Sequence, residues 1–185
     1  PPQEQIDELV SLYNQGQFEE VLSNVKPLVS LFPKAINLFN IQGASYAALQ
    51  KHDAAVDSYR QAIKFKPNYA GAYYNMGVAL QNKGDFEETI DSYKQAIKIK
   101  PDYAEAYYNM GIALKDKGEL DAAIDSYKQA IKIKPDYAEA YSNMGVALND
   151  QGELDTAIDS CKKAIKIKLD YAEAYYNMGI ALKDK

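Results

Sequence analysis

The stretch IDSYKQAIKIKPDYAEAY occupies residues 90–107 and recurs unchanged at 124–141, an offset of 34 residues. Glycine keeps the same interval, at Gly43, Gly77, Gly111, Gly145 and Gly179. A fixed period of this length is typical of stacked supersecondary units, each too small to bury its apolar face alone. We therefore predict repeats at 2–35, 36–69, 70–103, 104–137 and 138–171, followed by half a repeat at 172–185.

Each unit reads as a helix, a turn and a second helix. The apolar positions of 70–83 are Tyr73, Met76, Gly77 and Leu80, the i, i+3, i+4, i+7 spacing of one helical face. Gly84 then predicts the end of the first helix. Asp85 and Glu88 have the spacing of a capping box, which predicts the start of the second helix.

The end of a unit carries signals of its own. Pro101 predicts the end of the second helix, because proline lacks the N–H that a helix interior needs. Asp102 and Glu105 repeat the D-x-x-E spacing and predict a capping box for the helix that follows. Local signals and period agree, so the sequence predicts an all-α fold.

The recurring residues resemble a known family. They are Tyr73, Met76, Gly77, Leu80, Thr89, Tyr93 and Pro101 in the third unit, and matching residues in the others. This pattern is similar to the tetratricopeptide repeat (TPR), whose 34-residue signature has aromatic, glycine, alanine and proline positions at these spacings. The resemblance implies one right-handed superhelical α-solenoid of antiparallel helix pairs over 1–185, with five repeats and a terminal capping helix.

The positions of the motif also suggest packing roles. Glycine at the eighth place of a unit would let the two helices approach closely. A small residue at the twentieth place (Ala55, Thr89, Ala123, Ala157) would receive a neighbouring helix, and the aromatic at the twenty-fourth would fill space between successive units.

Two units depart from the pattern. The first has Pro27 inside its second helix, so we expect that helix to be kinked or shortened and the unit to be degenerate. The fifth has Cys161 in place of tyrosine and Leu169 in place of proline, which predicts lost packing volume and a softer join.

The resemblance implies a concave surface lined by the first helices, and one asparagine per unit would lie on it: Asn75, Asn109, Asn143 and Asn177. Stacked amides could hold the backbone of an extended peptide, and a similar ladder lines the TPR arm of protein O-linked N-acetylglucosamine transferases. The alternative is that each asparagine bonds the adjacent helix. Other residues predicted on this face are Tyr74, Val78, Asn82, Tyr108, Ile112, Asp116, Val146, Asp150 and Tyr176.

Two of these groups also have structural interpretations. The tyrosines and aliphatic residues could pack against the next unit instead of a ligand. Glu105, Glu139 and Glu173 could form an acidic rail, but their spacing favours capping-box acids.

Few residues in the sequence are candidates for catalysis or metal binding. The formal net charge of −5 argues against nucleic acid and anionic membranes, which favour basic partners. His52 and Cys161 both stand at places where other units have apolar or aromatic residues, so we expect them to be core residues. No residues have metal-ligand spacing. We predict no cofactor, no metal and no enzymatic activity.

Two functions therefore remain open. The chain could be a soluble, cytoplasmic scaffold that binds a protein or peptide in its groove. It could instead be the targeting arm of a larger enzyme of the glycosyltransferase, sulfotransferase or oxygenase type, an option favoured by its ending in mid-repeat. In either case the uncovered stripe Tyr175, Met178, Gly179 and Leu182 could support self-association.

Overall fold

The computed structural model describes Pro1–Lys185, which form eleven α-helices and no β-strand. The chain folds as two compact units, Pro1–Ile99 and Lys100–Lys185. The first contains α1 (Gln3–Asn14), α2 (Phe18–Leu31), α3 (Ile36–Ala48), α4 (His52–Phe65), α5 (Ala70–Lys83) and α6 (Phe86–Ile99). The second contains α7 (Ala104–Asp116), α8 (Leu120–Ile133), α9 (Ala138–Asp150), α10 (Leu154–Ile167) and α11 (Ala172–Asp184). The all-helical prediction is confirmed. None of the helices has the length and apolarity needed to cross a membrane.

The turn inside each helix pair depends on a left-handed residue. Gly84 follows α5 with φ of 83°, and Gly16, Gly118 and Gly152 adopt the same region after α1, α7 and α9. The second repeat, 36–69, has no glycine at this place, and Gln50 takes a φ of 57° instead. Asp85 Oδ1 accepts a hydrogen bond from the N–H of Glu88 at 3.3 Å, which confirms Asp85 as the cap, while the Glu88 carboxylate pairs with Arg60.

The capping box predicted after Pro101 is wrong. The N-cap of α7 is Tyr103, which makes no side-chain cap hydrogen bond, and Asp102 lies one residue too early. The helix instead begins with a backbone turn, in which Ala104 N–H donates to the Asp102 carbonyl at 3.2 Å. Glu105 is therefore a first-turn acid that interacts with the helix dipole. Glu139 and Glu173 hold the same position in α9 and α11.

Pro27 does not shorten α2, which has 14 residues like α4, α6, α8 and α10. Val21, Val25 and Leu28 on the helix are buried in one cluster with Ile6 and Leu9 of α1. Packing of this face holds the helix together on both sides of the proline, and it outweighs the loss of one backbone hydrogen bond.

Proline is also not needed to end the second helix of the fifth repeat, the other repeat that departs from the motif. Helix α10 ends at Ile167, although exposed Leu169 stands where the other units have proline. The end of the helix is thus decided without the proline ring, and the softer join predicted there stays a prediction.

Glycine and the following aromatic form one packing unit. A Cβ on Gly77 would lie 2.7 Å from Cε1 of Tyr93, and one on Gly111 would lie 2.6 Å from Cε1 of Tyr127. This confirms the close approach predicted at the eighth place. The ring thus lies against the glycine of its own repeat, and Tyr59 also packs in one cluster with Met76, Ala79 and Leu80 of the next repeat, as predicted for the aromatic place. Residues at the twentieth place are fully buried, as predicted.

Candidate peptide-binding surface

The asparagines of the predicted ladder lie half-buried on first helices, with Asn75 on α5, Asn109 on α7, Asn143 on α9 and Asn177 on α11. Two of them connect neighbouring first helices in the second compact unit. Asn143 Nδ2 donates to the hydroxyl of Tyr108 at 3.0 Å, and Asn177 Nδ2 donates to Ser142 Oγ at 3.0 Å. The contact with the adjacent helix therefore exists. A primary amide has a second N–H and a carbonyl oxygen, so this contact leaves it capacity to bind a ligand.

Tyr108 is held by the protein on several sides. Its ring centre lies 4.9 Å from that of Tyr137 and 6.1 Å from that of Tyr127. Burial raises the pKa of Tyr108, and the carboxylates of Glu139 and Glu173 raise it further. The phenol is thus neutral and positioned to accept the Asn143 hydrogen bond. The sequence offered packing against a neighbouring repeat as the alternative role of Tyr108, and the structure shows this packing.

A small pocket of about 80 Å³ opens between α9 and α11. Its lining residues are Val146, Asn149, Asp150, Asn177 and Ile180. Three of them, Val146, Asp150 and Asn177, belong to the predicted surface. Asn149 Nδ2 donates to Asp184 Oδ2 at 3.3 Å, which joins the ends of the two helices.

A larger pocket of about 250 Å³ lies in the first compact unit. It is lined by Val10, Tyr13, Asn40, Ile41, Ala44, Tyr69 and Asn75, of which only Asn75 was predicted from the sequence. The Oδ1 atom of Asn40 is buried and has no hydrogen-bond donor. Asn40 stands one place before the ladder register, which is occupied by Ile41 in that repeat. The one-residue shift is the signal that a search for a strict period overlooks.

The two pockets use the same places of the repeat. Asn75 and Asn177 both stand at the sixth place of their units. Val10, Ala44, Val146 and Ile180 all stand at the ninth place. An amide beside an aliphatic side chain therefore recurs as a partly open surface in both compact units.

The remaining predicted residues do not line either pocket. Tyr74, Val78, Asn109 and Ile112 are half-buried, whereas Asn82, Asp116 and Tyr176 are exposed. Tyr74 packs near Tyr93, with ring centres 5.9 Å apart. Asp116 pairs with the ammonium group of Lys115 at 3.2 Å, so its charge is partly balanced.

The titratable residues offer no obvious reactive group. Burial raises the pKa of the Cys161 thiol, which lies buried against Gly145 and stays protonated at neutral pH. His52 is half-buried at the start of α4. No three His, Cys, Asp or Glu side chains are arranged to hold a metal ion.

The repeats of this chain match a known family model and segments of longer proteins. The family model described as TPR repeat matches residues 43–84, 82–118, 113–152 and 145–185. A peroxisomal targeting signal receptor of Candida albicans is 34% identical over 79 residues, which are 43% of this chain and 13% of the receptor. A probable UDP-N-acetylglucosamine–peptide N-acetylglucosaminyltransferase SEC of Arabidopsis thaliana is 32% identical over 74 residues, 40% of this chain and 8% of that protein.

The structural comparison covers nearly the whole chain. The crystal structure of MamA superposes with a TM-score of 0.83 at 28% sequence identity, over 88% of this chain and 95% of MamA. The matches to the receptor and to the transferase, by contrast, span only a small fraction of those longer proteins.

Proposed function

The chain belongs to the tetratricopeptide-repeat family, and on that premise we propose that it is a protein-interaction scaffold whose first helices bind an extended peptide or a partner protein. One observation carries the proposal. The sixth-place amide and the ninth-place aliphatic residue line a pocket in each of the two compact units. A surface that repeats polar and apolar elements in this way fits a ligand that repeats them too, as an extended peptide does.

The chemistry of the pockets limits the ligand. Amide side chains both donate and accept hydrogen bonds, so they can pair with peptide N–H and C=O groups whatever the peptide sequence. The aliphatic residues and Tyr13 offer apolar area for a side chain. Neither pocket is lined by lysine or arginine, and Asp150 lines one of them. We therefore expect a neutral or basic peptide rather than an acidic one.

The predicted surface residues have different roles in the proposed binding. Asn75, Val146, Asp150 and Asn177 contact the ligand at the pockets. Asn143 and Tyr108 position neighbouring first helices through their hydrogen bond. Relatives support the class of function, because one of them is a receptor for a targeting signal.

The test begins with a displayed library of random peptides selected on the intact chain. Binding of a selected peptide is then measured by titration calorimetry for the wild type, Asn75→Ala and Asn177→Ala. Losing one amide contact should weaken binding about fivefold, the equivalent of a hydrogen bond of about 1 kcal/mol. Unchanged affinity in both variants would contradict the proposal.

Ser142→Ala is the matched control. It removes the acceptor of the Asn177 hydrogen bond but keeps the Asn177 amide in the pocket. If Asn177 acts only by joining α9 to α11, Ser142→Ala and Asn177→Ala should weaken the peptide equally. If the amide contacts the peptide, only Asn177→Ala should do so.

A second candidate is that the chain is the substrate-targeting arm of a larger enzyme. Its support is the match to repeats of the Arabidopsis transferase. Sequencing the complete transcript tests it. A catalytic domain encoded before Pro1 or after Lys185 would support this function, and a complete transcript that encodes none would exclude it.

A further inference from the structure

The pocket of the first compact unit is larger than that of the second, at about 250 Å³ against about 80 Å³. Both use the sixth and ninth places of the repeat, so the residues at those places can be compared directly. At the ninth place the smaller pocket has Val146 and Ile180, whereas the larger one has Ala44 of α3. Alanine leaves open the space that valine or isoleucine fills in the other pocket.

A second small residue removes a charge from the larger pocket. Tyr69 lines this pocket just before α5, and a Cβ on Gly71 would lie 3.3 Å from Cε2 of its ring. The equivalent residues of the second unit are Tyr171 and Glu173, and the Tyr171 hydroxyl donates to the Glu173 carboxylate at 3.1 Å. Glycine thus stands where that unit has glutamate, and no charged side chain lines the larger pocket.

The opening of this pocket does not depend on where the chain begins or ends. Its walls come from α1 on one side of α3 and from α5 on the other, so Ala44 has a first helix on both sides. Val146 of α9 likewise lies between α7 and α11, and it is also half-buried. This surface of the first helices therefore stays open to solvent where neighbouring repeats are in place.

The lining of the larger pocket is suited to an aromatic ring. Tyr13 and Tyr69 contribute two rings, and Ile41 and Val10 contribute aliphatic area, with Val10 41% exposed to water. Aromatic pairs in edge-to-face or offset contact are more favourable than their buried area alone accounts for. Asn75 adds an amide that can pair with the peptide backbone beside the ring.

We infer that this pocket is the anchor site for an aromatic side chain of the bound peptide, and that Ala44 is the residue that admits it. The inference rests on the proposed function, because it names the side chain that the peptide-binding surface selects. A charged side chain would lose hydration there without gaining a counter-charge. A small aliphatic side chain would leave part of the volume unfilled and forfeit contacts with the two rings.

The test begins with two selections from one displayed library of random peptides. One selection uses the intact wild-type chain and the other uses Ala44→Ile, which installs the residue found at the ninth place of α11. Peptides selected on the wild type should share one aromatic residue, and peptides selected on Ala44→Ile should lack it. One wild-type peptide is then also synthesised with alanine in place of that aromatic residue.

Titration calorimetry measures both peptides on both proteins. The wild type should bind the alanine peptide about tenfold or more weakly than the aromatic one, as for an aromatic anchor. Ala44→Ile should bind the aromatic peptide about tenfold more weakly than the wild type does, yet bind the alanine peptide equally well. Such coupling places the ring against residue 44, because a ring seated elsewhere would lose the same affinity in both proteins.

Ala48→Ile is the matched control. It makes the same change at the exposed last residue of α3, outside the lining of the pocket, and should bind the aromatic peptide normally. Ala44→Val is a second pocket variant with a smaller side chain, and its loss of affinity should lie between those of the wild type and Ala44→Ile. Circular dichroism and the urea midpoint verify that each variant is folded.

Three results would overturn the inference. They are selected peptides without a shared aromatic residue, equal binding of the aromatic peptide by the wild type and both pocket variants, and a dimer in sedimentation that Ala44→Ile dissociates. The third would make a second copy of the chain the source of the ring. The proposed function would survive the first two results as long as Asn75→Ala still weakens the peptide, and it fails separately if Asn75→Ala and Asn177→Ala have no effect. Selection of no binding peptide would overturn both.

Discussion

Residues 102–117 and 170–185 are the same sixteen amino acids in two environments. Both form a helix of 13 residues, and both begin after a tyrosine N-cap without a side-chain cap. Their surfaces differ sharply. Leu114 is 5% exposed and its counterpart Leu182 is 55% exposed. Gly111 lies against Tyr127, whereas Gly179 faces open space.

The comparison separates the features of a helix that depend on its own sequence from those that depend on the neighbouring helices. Backbone hydrogen bonds and the first-turn glutamate act locally, so the two copies agree in length and start. Burial depends on whether α8 or an equivalent is present, so the copies disagree there. The same substitution should therefore have different consequences in the two helices.

The largest difference is expected for glycine replaced by leucine. Gly111→Leu would force a side chain into the ring of Tyr127 and lower the free energy of unfolding by about 3 kcal/mol. Gly179→Leu should change it by less than about 1 kcal/mol, and in the stabilising direction, because leucine favours a helix more than glycine does. Urea denaturation followed by circular dichroism measures both. Equal midpoints for the two variants would contradict the packing of Tyr127 on Gly111.

A smaller difference is expected for leucine replaced by alanine. Leu114→Ala removes a buried side chain and should cost about 2–3 kcal/mol, in the lower part of the range for such cavities. Leu182→Ala should cost less than about 0.5 kcal/mol, since its side chain is mostly in water. The same denaturation experiment applies. A large cost at Leu182 would show that this face is already covered in solution.

The smallest effect concerns Tyr127, the ring that α11 lacks. Burial raises the pKa of Tyr127 above that of an unfolded tyrosine, which is about 10. Below pH 10 both states hold the proton and stability is unaffected. Above it the unfolded state loses its proton first, so the free energy of unfolding should fall by about 1.4 kcal/mol per pH unit.

Tyr127→Phe is the variant that isolates this effect. It should behave like the wild type at pH 7, because the hydroxyl group has no partner, and lose less stability between pH 10 and 11. Melting temperatures at the three pH values measure the difference. Parallel losses in the two proteins would assign the alkaline sensitivity to other tyrosines, such as Tyr59, whose pKa is also raised by burial.

Much of the fold could be predicted because its signals are local. The period located the helix pairs, and the left-handed glycines and the Asp85 cap appear where they were expected. The capping boxes at Asp102 and its equivalents failed for a physical reason. The chain makes a backbone turn after proline, which starts the helix one residue later than the motif requires. Pro27 did not shorten α2, because the packed face of the helix outweighs one lost hydrogen bond, and the kink predicted there stays a prediction.

The candidate site was less predictable. Asn75, Val146, Asp150 and Asn177 were identified by their period and do line pockets. Asn40 was missed because it stands one place before the periodic asparagine position, which is Ile41 in that repeat. The hydrogen bond from Asn143 to Tyr108 joins residues 35 apart, and the sequence alone offered it only as one of two alternatives.

The amino-acid order by itself determined the repeat length, the helices and their turns. These depend on neighbours within a few positions along the chain, where backbone geometry leaves few choices. Tertiary structure alone decided which copy of an identical helix is buried, which amides join adjacent repeats and where pockets open. Those outcomes depend on contacts with residues distant in sequence, and a short segment does not specify which residues will surround it.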